Sequence, residues 1–447
     1  MKLWQKNYNA DKEIERFTVG NDYLLDKNLI KYDVYGSIAH SSMLKKIKIL
    51  NNIEFNKIKK ELKGILKLNE KNNFKIKLED EDVHTAIENH LVKKLGSIGK
   101  KVHTARSRND QILVDLRLYS KENLLEVSKA LIDLISITLN FAEKNKNTPM
   151  AGYSHAQKAM PSSIGLLFGA YAESLLDNFE LIGAAYMLNN QNPLGSAAGY
   201  GTGINIDRNL TAKLLGFDKV QNNTLYVQNS KGKIESSIIF SLSKIMQDLE
   251  KISNDLILFS MDEFNYFNLP DKFTTGSSIM PNKKNPDVLE LVRAKSSVVE
   301  SLLFQANSIS KKTLSGYNRD SQLIKEPLMQ SFKITLDSVK IMSLVIKGLE
   351  VNEKNCINSC ANEIFATDEL TNLIKLGVPM REAYKKIANN LNKVKKQDAK
   401  KNILEKKHIG ATGNLNLKES KDKLKQINSA ISLEDKKLSS ALSKLVK

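Results

Sequence analysis

The sequence has 447 residues, of which 41% are hydrophobic and 26% charged, with a formal net charge of +18. That composition can bury a large core of two or three domains and excludes a disordered chain. Two cysteines exclude a disulfide framework, and scattered lysine without interleaved aromatics argues against a nucleic-acid surface.

The opening residues, MKLWQKNYNADKEIERF, hold no apolar signal segment, and no later run reaches membrane-spanning length. The expectation is a cytoplasmic protein. KVHTARSRNDQ at 101–111 is a polar connector in which Arg106 and Arg108 flank Ser107 ahead of a helix start at Asn109 and Asp110. Two guanidiniums beside a helix N-terminus form a cradle for carboxylates. A long helix follows from about Asp110 to Glu143, with Leu124, Val127, Leu131 and Leu134 on one face.

GYSHAQKAMP at 152–161 reads as the next connector and carries Ser154 and His155. A loop histidine is ordinarily a surface residue, but a carboxylate such as Glu290 beside it in space would make it an acid/base group. A second long helix spans about 161–188, and the glycine-rich NPLGSAAGYGTGINIDR follows at 192–208. That loop lacks the Gly-Lys-Ser/Thr ending of a phosphate loop and lies in no strand-to-helix unit, so no nucleotide site is expected. From Ile238 the apolar residues Leu242, Ile245, Leu249, Ile252, Leu256 and Phe259 advance in steps of 4, 3, 4, 3, 4 and 3. This is the seam of a long bundled helix.

GSSIMPNKKNP at 276–286 introduces a fourth long helix that begins near Pro286 and continues past Leu303. Asn285 suits the cap, Pro286 the first helical position, and Asp287 the positive end of the dipole. The Gly276, Ser277 and Ser278 portion suits a mobile lid. Its amides, with Lys283, could hold an anion that develops during a reaction, and Glu290 looks back at the loop from one turn into the helix. SGYNRDSQLIKEP at 315–327 follows this helix. Cys356 and Cys360 share a helix face without a third ligand nearby and read as buried small hydrophobes. The lysine-dense stretch from 384 to 447 reads as solvated helix faces, whose field would favour a dianionic substrate.

HTARSRNDQ, GYSHAQ and GSSIMPNKKNPD together resemble the argininosuccinate lyases of the fumarase/aspartase superfamily. The resemblance extends from EDVHTAIENHL at 81–91 to FATDEL at 365–370 and GVPMREA at 377–383. The GSS-x-MP-x-K-x-NP pattern marks the superfamily, while ARSRNDQ and YNRDSQLIKE select the argininosuccinate lyases within it. The resemblance implies a mainly α, three-domain chain divided at 1–105, 106–354 and 355–447, whose long central bundle assembles into a homotetramer. It implies reversible cleavage of argininosuccinate to arginine and fumarate without a metal or organic cofactor. It places no partner beyond the small-molecule substrate and copies of the chain itself.

By the same resemblance, Ser277 is the catalytic base, Lys283 and Asn285 stabilise the dianionic intermediate, and His155 with Glu290 relays a proton. Ser107, Arg108, Asn109 and Ser154 surround the fumarate-derived carboxylates. Tyr317, Gln322 and Lys325 hold the arginine-derived end, and Asp82 and His84 support the site. Each site would collect loops around 84–109, 154–157 and 277–290 from three different subunits, and the apolar seams would continue across subunits. Two departures stand out: LWQKNYN replaces the usual LWGGRF, and Asp22 stands where many members have a substrate-contacting serine. The alternatives are another lyase of the superfamily and a catalytically silent, crystallin-like relative.

Overall fold

A computed structural model describes residues 11–447; the LWQKNYN departure lies outside them. Nine helices carry most of the architecture: α1 (Ile30–Lys46), α2 (Asn52–Glu70), α3 (Val83–Leu95), α4 (Arg108–Lys144), α5 (Ile164–Asn189), α6 (Lys233–Phe259), α7 (Asp287–Ser310), α8 (Lys325–Gly348) and α9 (Leu417–Val446). Shorter helices connect them. The strands are short, and the longest pair, β1 (Pro149–Ser154) and β2 (Gln157–Ser163), forms an antiparallel hairpin between α4 and α5.

Helix α4 runs for 37 residues, starting from a capping box in which Ser107 Oγ accepts from the Asn109 amide and Asp110 accepts from the Ser107 amide. Reciprocal satisfaction of these end groups fixes where the helix begins. Helices α4, α5, α6, α7 and α8 pack as a bundle, with α1 and α9 laid against α4. The seam of α6 is buried throughout: Ile238, Leu242, Ile245, Leu249 and Leu256 are fully covered, and Ile252 and Phe259 nearly so. This burial takes place within one chain, so the seam does not wait for a partner as the sequence reading supposed. One continuous core reaches from Leu29 to Leu445, and a small second cluster gathers Ala151, Cys360, Ile364, Phe365, Val394 and Ala399.

Several local expectations change. Residues 152–161 form most of a hairpin rather than an irregular connector, and Pro161 lies in β2, not at the start of α5. The fourth bundle helix begins at Asp287, and Asn285 does not cap it. The Asn285 amide donates instead to Gly276 O at 3.3 Å, while its backbone exchanges hydrogen bonds with Thr275 at 2.8 and 3.1 Å. Closing the loop on itself has replaced capping. The lysine-dense C-terminal stretch contains α9, 30 residues long, whose Leu417, Leu424, Leu438, Leu442 and Leu445 join the main core. Both cysteines are buried; burial pushes the Cys356 thiol up to about 12.

Candidate active site

The N-terminus of α4 opens onto a cavity of about 150 Å³ lined by Asp82, His84, Arg108, Asn109, Tyr317, Gln322 and Lys325, among others. These residues come from three parts of the chain. Asp82 caps α3, accepting from the Thr85 amide at 2.8 Å, which brings His84 in the first turn to face α1 and α4. Arg108 is the first residue of α4, and Tyr317 to Lys325 form the turn that enters α8.

Charge in this cavity is already largely matched. Lys325 is buried and bonds to Asp26 Oδ1 at 2.5 Å and Asp22 Oδ1 at 3.0 Å. Burial works against its charge, but the two carboxylates outweigh it and hold the ammonium well above its ordinary range. Asp22 itself is pushed up to about 6 by burial, against the pull of Lys325. Asp22 therefore lines the cavity and shares the lysine, which gives a place to the residue that departs from the family serine. Arg108 Nη1 meets Glu81 at 2.9 Å and Asp82 at 3.0 Å. Arg106 turns away, donating to Ser37 Oγ at 3.0 Å. The expected pair of guanidiniums is thus split: one lines the cavity with carboxylates beside it, and the other braces α1.

Beneath the cavity His84 Nδ1 bonds to Asp33, with Asp115 Oδ2 at 3.7 Å. Burial would discharge His84, but Asp33 outweighs it and holds the imidazole above its ordinary value; burial likewise pushes Asp115 well up. The ligand-capable atoms of these three residues lie within 4.8 Å of one another. The His84–Asp33 hydrogen bond ties two of the three together, and Arg106 acts on both carboxylates. The cluster is a charge network that supports Arg106 and the head of α4.

The glycine-rich loop is tied to the same helix end. Asp110 Oδ2 accepts from the Gly195 and Ala197 amides at 2.8 and 3.0 Å, so the loop braces α4 instead of holding a phosphate.

The remaining expected residues lie elsewhere on the chain. Ser107 caps α4 outside the cavity lining. Ser154 and His155 sit at the exposed tip of the β1–β2 hairpin, where His155 and Ala156 take φ of 51° and 58°. Two successive left-handed residues make the mirror-image turn that matches strand twist. Ser277 is half-buried in the 276–286 loop, its Oγ accepting from the Ile279 amide at 3.3 Å and the Met280 amide at 3.1 Å. Lys283 and Glu290 are exposed and, with Asn285, line a separate groove beside the loop. Among the described residues no hydrogen bond or ion pair joins His155 to Glu290 within one chain. Sequence reasoning missed Asp26 and Lys231, which line the cavity with no motif to mark them, and passed over Glu81, which opens the EDVHTAIENHL motif.

A family model described as a lyase matches residues 6–300. The argininosuccinate lyase of Thermotoga neapolitana is 44% identical over 88% of this chain and 99% of its own length. That of Bacteroides thetaiotaomicron is 42% identical over 93% of this chain and 92% of its own. Among solved structures, EDDS lyase in complex with formate superposes at TM-score 0.85 with 22% identity, covering 98% of this chain and 96% of that one. A class II fumarase from Schistosoma mansoni gives TM-score 0.71 at 17% identity, covering 88% and 95%. The two structures speak for the fold; the near full-length relatives decide the family, and the chain belongs to the argininosuccinate lyases.

Proposed function

We infer that the protein is an argininosuccinate lyase, a carbon–nitrogen lyase that reversibly converts argininosuccinate to arginine and fumarate. The observation that carries this reading is the cavity at the head of α4. It sets Arg108 and Asn109 opposite Tyr317, Gln322 and Lys325 in a chain with full-length argininosuccinate lyase relatives.

The reaction removes a proton from the carbon beside a carboxylate, forms an aci-carboxylate carbanion, and then breaks the C–N bond. Ser277 takes the proton. The Ile279 and Met280 amides aimed at its Oγ support the alkoxide, as oxyanion-hole donors support developing charge. Lys283 and Asn285 stabilise the dianion, and His155, assisted by Glu290, protonates the departing guanidino nitrogen. Ser107, Arg108, Asn109 and Ser154 hold the fumarate-derived carboxylates.

The loops carrying these residues lie apart on one chain, which supports a homotetramer whose sites are completed by neighbouring subunits. Exposed apolar side chains on the bundle support self-association too: Phe240 on α6 and Leu291, Val298 and Phe304 on α7 face outward. The proposed domain division at 1–105, 106–354 and 355–447 is supported by the start of α4 at Arg108 and the end of α8 at Gly348, which bracket the bundle. No helix among the described residues is long and apolar enough to cross a membrane, in keeping with a cytoplasmic enzyme.

The test is direct. Purified protein given argininosuccinate should release fumarate, seen as ultraviolet absorbance, and should not do so with malate, aspartate or adenylosuccinate. Fumarate from one of those three instead would assign another lyase of the superfamily, and none from any would leave the silent structural relative.

A further inference from the structure

Among the described residues, Lys231 is the basic side chain of the cavity that has neither an ion-pair partner nor a hydrogen-bond acceptor. Lys325 faces Asp22 and Asp26, Arg108 faces Glu81 and Asp82, and Arg319 is spent on Gln322 Oε1 at 3.0 Å and Thr18 O at 2.8 Å. Lys231 lines the same cavity, yet its Nζ is shielded from solvent and has no hydrogen-bond partner among the described residues. Among the described residues the Tyr317 ring lies over it, 4.3 Å from Nζ to the centroid.

The backbone around it is fixed. Gly232 donates to Glu235 Oε2 at 2.7 Å in the turn that starts α6, and its φ of 81° is one glycine favours. Glu235 acts on Lys231 through its charge, but it is committed to that amide and to Arg117 at 3.2 Å.

We propose that Lys231 anchors the α-carboxylate at the arginine end of the substrate, with Asp22 facing a cationic group of that same end. The inference rests on the lyase reading. It moves the carboxylate contact away from Lys325, whose ammonium is already bracketed by two carboxylates. Charging a buried amine that has no acceptor is unfavourable, and an entering carboxylate supplies that acceptor, so contact made only on binding favours ligand over water. Burial pulls the Lys231 amine down to about 7; Glu235 and Asp110 act to raise it, and Arg117 and Lys325 to lower it. The amine is therefore largely neutral at pH 8 and takes up a proton when a carboxylate arrives.

The experiment compares arginine with agmatine, which has the same guanidinium chain and lacks the carboxylate, by titration calorimetry on the intact protein at pH 8. The wild type should prefer arginine and take up protons on binding it, read from the difference between buffers of unlike ionisation enthalpy. Lys231→Met should lose on the order of 10- to 100-fold in arginine affinity, leave agmatine binding unchanged and take up no proton. Lys231→Arg should restore the preference for arginine. Retained agmatine binding establishes that the methionine variant is folded.

A Lys231→Met protein that keeps the wild-type preference for arginine overturns the proposal, and so does a preference abolished in Lys325→Met alone. Failure of the lyase reading looks different: the wild type itself would neither bind arginine nor release fumarate from argininosuccinate.

Discussion

A serine hydroxyl is a weak base, so the surroundings of Ser277 matter more than its identity. Two backbone amides already point at its oxygen, while the nearest lysines are exposed. In the proposed mechanism the amides would be the constant part of the alkoxide's stabilisation, and Lys283 would add its charge when the loop folds over substrate. Ser277→Ala should lower turnover by at least about 10³-fold, with arginine binding and helical circular dichroism unchanged. Ordinary turnover in that variant would remove the serine from the mechanism.

Asp22 makes a second prediction at this scale. Burial raises it to about 6, so it is ionised above that pH and protonated below it. A carboxylate that faces the substrate's cationic end loses its attraction on protonation. Arginine affinity should therefore fall as pH drops through about 6, and Asp22→Asn should flatten that acidic limb. Titrations between pH 5 and 7 would check it, and an identical limb in the variant would clear Asp22 of the role.

Motifs pointed to Arg108 and Lys325, which line the cavity, and to Ser277, which stands outside it on one chain. They could not reveal Asp26 or Lys231, because a compensating charge is recognisable only by what it faces.

At the level of elements, Gly232 shows how tightly α6 is seated. A Cβ there would lie 2.4 Å from the Ser310 Cβ and 3.2 Å from Ile324 Cδ1, on a backbone with φ of 81°. Gly232→Ala should destabilise the protein by about 2–4 kcal/mol, from positive-φ strain together with overpacking. A lowered urea midpoint at unchanged slope would report it. Unchanged stability would mean that the end of α7 yields freely.

Helices α4 to α7 were legible because their apolar residues repeat at helical spacing over several turns. Helix α9 carries comparable spacing between Leu417 and Leu445, but dense lysine on its outer faces disguised it as a wholly solvated segment. The β1–β2 hairpin was illegible for another reason. Its turn is His155-Ala156, with neither the glycine nor the asparagine that normally announces a mirror-image turn. Asn285 misled because a good capping residue is equally good at closing a loop, and Thr275 stood opposite to receive it.

For the whole molecule, the separation of the Ser277 loop from the His155 hairpin sets the expectation about assembly. Each is exposed, and neither belongs to the cavity lining, so substitutions there should leave the subunit folded. On the proposed tetramer, the Ser277→Ala and His155→Ala proteins, each inactive, should regain part of the activity when unfolded and refolded together, since some mixed sites then receive both native loops. Confirmed mixed tetramers without recovered activity would place the two loops on the same subunit. Fold class was open to inspection from helical periodicity. Assembly was not, because the expected subunit-spanning seam is closed inside one chain and the outward residues of α7 are a thinner signal.

The position of α9 also has a consequence in time. Its leucines complete the core against α4, although the two helices lie some 270 residues apart in the sequence. A chain emerging from the ribosome must therefore hold the apolar flank of α4 uncovered until residue 445 has been made. During synthesis that flank is the natural place for a chaperone to bind.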